Sequence, residues 1–376
     1  MNADEPLGLG LIGCGGFGRF CLDAVAPMDE IRIEAVADAR PDAARETGEA
    51  FGVPAAETDA ELVARDDVDI VHIATPPASH HDLAIAALQA GKHVLCEKPL
   101  ALDLAQADAV LAAADRAGRI CPVNFVLRYN DVVDAAERVL RSGSLGAPLA
   151  ARLTNCACDT HLPAGHWFWD PRVSGGIFVE HGVHFFDLYR RWLGAGEVVC
   201  AHAEARDGSM TDRVACTVRH APDDAPAVLV SHYHGFDQIQ PLDRATHRIV
   251  CEMGDIRIAG WVPLSLTVDA AVDDRGAEAL RACCPWSGEQ VVQRYGRTEW
   301  RGRGRRRNVT HRLRLDYTPN EDKAAVYAAS LRALLADQIA CIRDRTHRRR
   351  VTERDGRDAL ATALAARELA QSKTLA

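Results

Sequence analysis

Six residues near the N-terminus, Gly13-Cys14-Gly15-Gly16-Phe17-Gly18, constrain this chain more than any other stretch of its 376 residues. They follow a short apolar run, Leu7 to Ile12, and open a segment with apolar residues at helical spacing, Phe17 to Ala26. In a strand-turn-helix setting, the first glycine of G-x-G-x-x-G makes the tight turn and the second lets backbone N–H groups approach a pyrophosphate. The third allows close helix–strand packing, and the helix N-terminus offers partial positive charge to the phosphates. Gly13, Gly15, Gly16, Phe17 and Gly18 are therefore candidate dinucleotide contacts. The β-rich run Ile31 to Ala37 ends in Asp38, 25 positions after Gly13. A carboxylate there accepts hydrogen bonds from the adenosine ribose hydroxyls and repels a ribose 2′-phosphate. That predicts NAD(H) over NADP(H), while Arg40 close by keeps NADP(H) open.

The first third of the chain alternates β-type runs with helical patterns, the signature of βαβ units and a doubly wound parallel sheet. Further strands are expected at Ile70 to Ile73, His93 to Cys96 and Ile120 to Phe125, with helices at Asp42 to Phe51, Ser79 to Ala90 and Asp103 to Ala117. Gly52, Gly91 and Gly118 stand where helix C-caps belong. After about Asn124 comes one helix, Val132 to Ser142, and then longer β-type stretches: Ala147 to Asn155, Val198 to Arg206, Arg213 to His220, Ala227 to Phe236, Thr246 to Met253 with Gly254-Asp255 as its turn, and Leu264 to Val272. A helix is expected over Gly176 to Leu193, and alanine-rich helices over Asp322 to Arg343 and Asp355 to Ser372. The expected architecture is α/β: a Rossmann domain over 1–123, then a substrate-binding and oligomerisation domain over 124–376. The second domain carries a large, open, mostly antiparallel sheet, and its C-terminal helices are free to pack back on the first.

Composition narrows the function classes. Forty-four Lys+Arg against 53 Asp+Glu, a formal charge of -9, argue against nucleic-acid binding through the overall field and favour small-molecule partners. No apolar run is expected to cross a bilayer, and the start Met1-Asn2-Ala3-Asp4-Glu5 is acidic where a secretory signal is basic. A cytoplasmic location is expected. The 12 cysteines are dilute and form no C-x-x-C pair, so most are read as buried, reduced thiols.

Two further motifs carry a resemblance. Ala74-Thr75-Pro76-Pro77-Ala78-Ser79-His80 with Glu97-Lys98-Pro99, and Ser174-Gly175-Gly176 leading to Glu180, His184 and Asp187, resemble the Gfo/Idh/MocA oxidoreductases in order and over nearly the whole chain. The resemblance implies nicotinamide-dependent oxidation or reduction at a sugar, cyclitol or related polyol carbon, in a homodimer or homotetramer. It makes Lys98 the catalytic lysine and His184 the acid or base, with Thr75, Pro76, His80, Glu97 and Lys98 at the cofactor. Glu180 stands where these enzymes often carry Asp, one methylene longer.

The residues support that chemistry independently. Hydride transfer from an alcohol carbon needs a base for the hydroxyl proton and a cation for the developing alkoxide. Lys98 follows a strand's C-terminal end, where a doubly wound sheet places its ligand crevice. Glu180 and His184, four apart, share a helical face, so the carboxylate is expected to orient the imidazole, with Asp187 in reach. A surface i,i+4 salt bridge is the plain alternative. His166, Trp167 and Trp169 are candidates to stack on and bond a sugar ring, or else a packed aromatic loop. Asn124 and Arg128 are candidate substrate contacts, with a hinge role as the alternative. No metal is expected: Cys156, Cys158, His161 and His166, or His181, His184 and Asp187, offer ligand types without a familiar spacing. His232 and His234 share one face of a strand, read as structural or interfacial. Arg294 to Arg314 reads as a solvated loop running into an edge strand, or as a clamp for a phosphorylated or nucleotide-linked substrate. The competing functions are a nucleotide-sugar ketoreductase and a non-enzymatic NAD(P)-binding sensor of the same fold.

Overall fold

The computed structural model describes residues 5–221, 226–296, 298–319 and 322–374. The acidic start at residues 1–4, and Arg297 of the arginine-rich stretch, lie outside the described residues. Two compact units interleave along the chain. The first comprises 1–128, 164–187 and 327–364, and the second 129–163, 188–326 and 365–376.

The first unit holds a four-stranded parallel sheet built from β1 (Leu7–Ile12), β2 (Ile31–Ala37), β3 (Ile70–Ile73) and β4 (His93–Cys96), in the order β2-β1-β3-β4. Every residue of β1, β3 and β4 is buried, as expected of parallel strands covered on both faces. The helices between them are Gly16–Val25, Pro41–Phe51, Asp59–Ala64, His80–Gln89 and Leu104–Ala117. Local chemistry sets their ends. Asp103 and Thr58 cap N-termini through their side chains, and Gly52 (φ 69°) and Gly118 (φ 59°) close C-termini in the left-handed conformation. The short helix at 59–64 has no counterpart in the sequence reading. The strand expected at Ile120 to Phe125 is reduced to backbone bonds along β4 and one bridge, Cys96 to Val123, because Pro122 has no N–H to donate.

From residue 148 the chain adds β5 (Pro148–Cys158), β6 (Gly196–Arg206), β7 (Met210–His220), β8 (Val228–Gln238), β9 (Arg244–Cys251), β10 (Gly254–Ala259), β11 (Ser265–Val272), β12 (Gly288–Arg294), β13 (Glu299–Gly302), β14 (Arg305–Asn308) and β15 (His311–Tyr317). Nine of them form one sheet, β12-β15-β11-β10-β9-β5-β8-β7-β6, antiparallel except for the β5–β8 pair. The turn expected at Gly254-Asp255 falls at Glu252-Met253 instead, since Gly254 pairs with Cys251 and already belongs to β10. Nor is β15 an edge strand. It lies between β12 and β11, with Leu313 and Leu315 buried while Arg312 pairs with Asp269. Alternation in sequence reports one buried face and does not report whether a strand has one neighbour or two. His232 and His234 lie in the interior of this unit: Tyr189 stacks edge-on to His232 at 5.1 Å and its hydroxyl lies 3.3 Å from His247 Nδ1.

All 12 cysteines are free thiols. The expectation that no segment is long and apolar enough for a bilayer does not hold for the helix Lys323–Arg343, whose best 18-residue window has a mean hydropathy of 1.4. Forty-four per cent of that window is buried inside the protein.

Candidate active site

The glycine turn has the geometry its sequence requires. Gly13 has φ 104°, and a Cβ there would lie 2.5 Å from the Ala74 carbonyl oxygen. A Cβ on Gly18 would sit 2.0 Å from the Gly13 carbonyl, the close approach of helix to strand. Around Gly15 and Gly16, by contrast, nothing lies within 4 Å of the added atom. That open space faces the start of the helix Gly16–Val25, whose cap residue Gly15 has no side chain to satisfy the first N–H groups. Asp38 closes the turn, accepting from the N–H groups of Cys14 (2.7 Å) and Arg40 (2.8 Å). Arg40 itself is exposed, its Nε 3.3 Å from Asp38 Oδ1. Free donors on the helix, open space at two glycines and a carboxylate at the end of β2 fit an adenine dinucleotide. The Phe17 ring is partly exposed against Phe20 and the buried Tyr327.

The loops after β3 and β4 are tied together from beneath. His80 is fully buried, its Nδ1 2.6 Å from the Pro99 carbonyl and its Nε2 2.8 Å from that of Thr75. Burial lowers its pKa, so a neutral ring serves one of the two carbonyls as donor. Expected at the cofactor, His80 has both ring nitrogens turned toward backbone carbonyls, one of them as the donor. Thr75 Oγ1 meets Ser79 Oγ at 2.7 Å, while Pro76 caps the short turn that follows.

Glu97 and Lys98 diverge although adjacent. The Glu97 carboxylate is buried and receives hydrogen bonds from Asn124 Nδ2 (2.7 Å) and His72 Nε2 (3.1 Å). Lys98 Nζ donates to both the carbonyl and the carboxylate Oε1 of Glu180, the carbonyl at 2.9 Å. The residues carrying Glu180 are not the α-helix expected over Gly176 to Leu193. Phe178–Gly182 is a π-helical turn, and the α-helix runs Val183–Leu193. An i→i+5 turn shifts the side-chain directions, so the argument that Glu180 and His184 share an α-helical face does not carry over. The carboxylate is directed to Lys98. Gly175 (φ 80°) and Gly176 (φ 82°) start the turn, and a Cβ on Gly175 would meet Val179 at 2.5 Å. His184 is buried against the Phe125 ring, and burial, followed by the Lys98 charge, holds its pKa well below the ordinary imidazole range.

Asn124 and Arg128 are both buried. Arg128 grips Asp187 with two donors, Nε at 2.7 Å and Nη2, and adds Asp355 Oδ1 at 2.8 Å and the Arg350 carbonyl at 2.7 Å. His166, Trp167 and Trp169 are half-buried in one aromatic run, with His166 and Trp167 rings 5.1 Å apart. His161 is exposed and belongs to the second unit.

The sequence reading missed His72, Cys21 and Asp355. A histidine interrupting the apolar strand Ile70–Ile73 was the available signal for the first. Sulfur, ring nitrogen and carboxylate oxygen of Cys21, His72 and Glu97 lie within 4.8 Å of one another, all buried. The Cys21 thiol is pushed well above its ordinary pKa by burial and then by Glu97, so it stands there as a protonated thiol.

Residues 7–125 match the Gfo/Idh/MocA oxidoreductase family, NAD-binding Rossmann fold, and residues 133–257 match a Gfo/Idh/MocA C-terminal domain. The chain is 32% identical to D-apiose dehydrogenase of Paraburkholderia graminis over 61% of this chain and 58% of that one. It is 33% identical to myo-inositol 2-dehydrogenase of Thermotoga maritima over 50% and 54%. The chain thus aligns with little more than half the length of these curated relatives. Among solved structures, levoglucosan dehydrogenase in complex with NADH and levoglucosan superposes with a TM-score of 0.76 at 21% identity, covering 98% of each chain. The WlbA dehydrogenase from Bordetella pertussis, in complex with NADH and UDP-GlcNAcA, gives 0.74 at 20%, covering 98% of this chain and 97% of that one. Those two are likenesses of fold. With two of its domains matched in order and the glycine turn, Lys98 and His184 standing in one unit, the chain belongs to the Gfo/Idh/MocA family of NAD-binding oxidoreductases.

Proposed function

We propose that this protein is an NAD(H)-dependent oxidoreductase acting at a hydroxyl or keto carbon of a cyclic polyol, sugar or sugar derivative. The observation that carries the reading is the Lys98–Glu180 pair together with a buried His184 whose pKa that lysine helps to lower. The nicotinamide, when bound, supplies or accepts the hydride. A neutral imidazole is the form that takes the hydroxyl proton in oxidation, and His184 returns it in reduction. Two of the three Lys98 ammonium hydrogens go to Glu180, which leaves one to aim at the reacting oxygen and to stabilise the alkoxide as it forms. Glu180 is then the residue that orients Lys98, a different task from polarising His184.

The loop at Gly13 to Gly18 with Asp38 would hold the dinucleotide, as NAD(H) rather than NADP(H), and His166, Trp167 and Trp169 would offer rings to the sugar. Homologues named inositol, apiose and levoglucosan dehydrogenases support the substrate class. A cytoplasmic location is supported by 12 unpaired thiols. A homo-oligomer is supported by Leu229, Ala150 and Val250, aligned across β8, β5 and β9 on the exposed side of the sheet.

A spectrophotometric screen at about 340 nm tests the activity, using inositols, pyranoses and sugar acids with NAD or NADP, and the matching ketones with the reduced cofactors. Turnover that Lys98→Met abolishes and that His184→Ala cuts by roughly a hundredfold or more is expected. Stoichiometric NADH binding without turnover across the panel would overturn the enzyme in favour of a sensor.

A further inference from the structure

The oxidoreduction proposed above makes no use of the arginine-rich stretch. Within the second unit, β13 and β14 pair as a hairpin with Gly302 opposite Arg305 and Trp300 opposite Arg307. Its two turn residues, Arg303 (φ 49°) and Gly304 (φ 70°), both take the left-handed conformation of a tight hairpin turn. Arginine adopts that conformation only under strain, so its place at the turn is not explained by turn chemistry. The pleat sorts the remaining arginines. Arg306 turns to one face, where it pairs with Glu299 at 3.1 Å, and Arg305 and Arg307 turn to the other.

On that second face lies a cleft of 390 Å³ lined by Arg303, Arg305, Arg307 and Glu252, with Gly146 and Ala147 among its walls. Glu252 Oε2 accepts from Arg307 and stands 3.4 Å from the Ala147 N–H, while its Oε1 is 3.9 Å from Arg303 Nε. Among the described residues no carboxylate lies within ion-pair distance of Arg305. Among the described residues that line the cleft, Pro226 included, three guanidiniums stand against one carboxylate, in a chain whose net charge is -9.

We propose that this cleft binds a small phosphorylated molecule through a phosphate ester or diphosphate group, at a site built in the second unit. Guanidinium forks match phosphate oxygens bidentately, and alternate residues on a strand stand about 7 Å apart, so Arg305 and Arg307 can each take one phosphoryl group of a diphosphate. The cleft's volume is that of a small-ligand pocket. The chain's overall negative charge opposes a nucleic acid as the occupant. Glu252 holds Arg307 and Arg303 in place before the ligand arrives and competes with it afterwards.

Calorimetric titration of the NADH-saturated protein with pyrophosphate tests this, the bound NADH keeping the glycine turn occupied. Saturable one-to-one binding is expected. It should weaken at least about tenfold in Arg303→Ala/Arg305→Ala, which leaves the Arg307–Glu252 pair intact, and tighten in Glu252→Gln. Inorganic phosphate should bind the same site more weakly than pyrophosphate. No saturable binding by the parent protein, equal binding by the double arginine variant, weaker binding by Glu252→Gln, or preference for a DNA oligonucleotide over pyrophosphate would each overturn the proposal. A circular-dichroism melt matching the parent establishes that the double variant is folded.

Discussion

Arg128→Met should destabilise the first unit by about 3–5 kcal/mol, the range for removing one partner of a buried ion pair. The side chains of Arg128 and Asp187 are 6% and 2% exposed, and Asp355 is 23% exposed, so solvent does little to screen the carboxylates left behind. Methionine keeps much of the arginine stem's volume and removes the charge and its donors, which isolates the electrostatic part of the loss. In a body of 150–250 residues each kcal/mol moves the melting temperature by roughly 2–4 °C, so a fall of about 6–20 °C is expected. Differential scanning calorimetry without cofactor, at one scan rate, reads it. The companion variant Arg128→Met/Asp187→Leu removes the stranded charge and should recover about half of the loss or more, because an apolar pair is often as stable as a buried ionic one. An unchanged melting temperature with a raised KM would refute the reasoning and return Arg128 to the substrate. A double variant less stable than the single one would mean that packing, not charge, holds this junction.

Two glycines of the turn should respond oppositely to the same substitution. Gly15→Ala meets nothing within 4 Å and should keep stability within about 0.5 kcal/mol while weakening NADH binding, read by fluorescence titration. Gly18→Ala places its Cβ 2.0 Å from the Gly13 carbonyl and should lose about 1–3 kcal/mol of stability; equal losses from both would sink the assignment of separate roles. The second unit should also be acid-sensitive. Burial takes His247 from 6.5 down to about 4 and His234 to about 3, so the unfolded chain binds these protons first as pH falls. Their neutral rings stabilise the fold fully above the unfolded pKa and lose that contribution as pH falls from 6.5 to about 4 for His247 and to about 3 for His234, His247 alone by about 2 kcal/mol at pH 5. Urea midpoints at neutral pH and at about pH 5 measure it, and a His247→Gln variant with an undiminished acid loss would refute that residue's share.

Much of the first unit could be read directly because its determinants are local. Glycines at 13, 52 and 118 occupy positions whose φ only glycine adopts freely, Asp103 caps the helix it precedes, and the apolar runs at 70–73 and 93–96 are buried strands. Elements failed where a local signal had two tertiary outcomes. Arg312-Leu313-Arg314-Leu315 alternates as an edge strand or as an interior strand with a charged outer face, and the protein takes the second form. Gly176 to Leu193 has helical spacing, yet its first turn is π, a distinction of one residue per turn that the apolar pattern does not carry.

The candidate site divides along the same line. Sequence alone determined which groups are present: the glycine turn, the carboxylate ending β2, Lys98 after β4, and Glu180 and His184 after a glycine pair. Only the tertiary structure decided what each group faces. Lys98 meets Glu180 across 82 residues of chain, Arg128 meets Asp187 across 59, and His72 lies under Glu97 across 25. A motif specifies backbone conformation and residue type through interactions a few residues long. Partners this far apart are chosen by the packing of strands and helices around buried charges, and in that low-dielectric interior an unpaired lysine, arginine or glutamate is too unfavourable to remain unmatched.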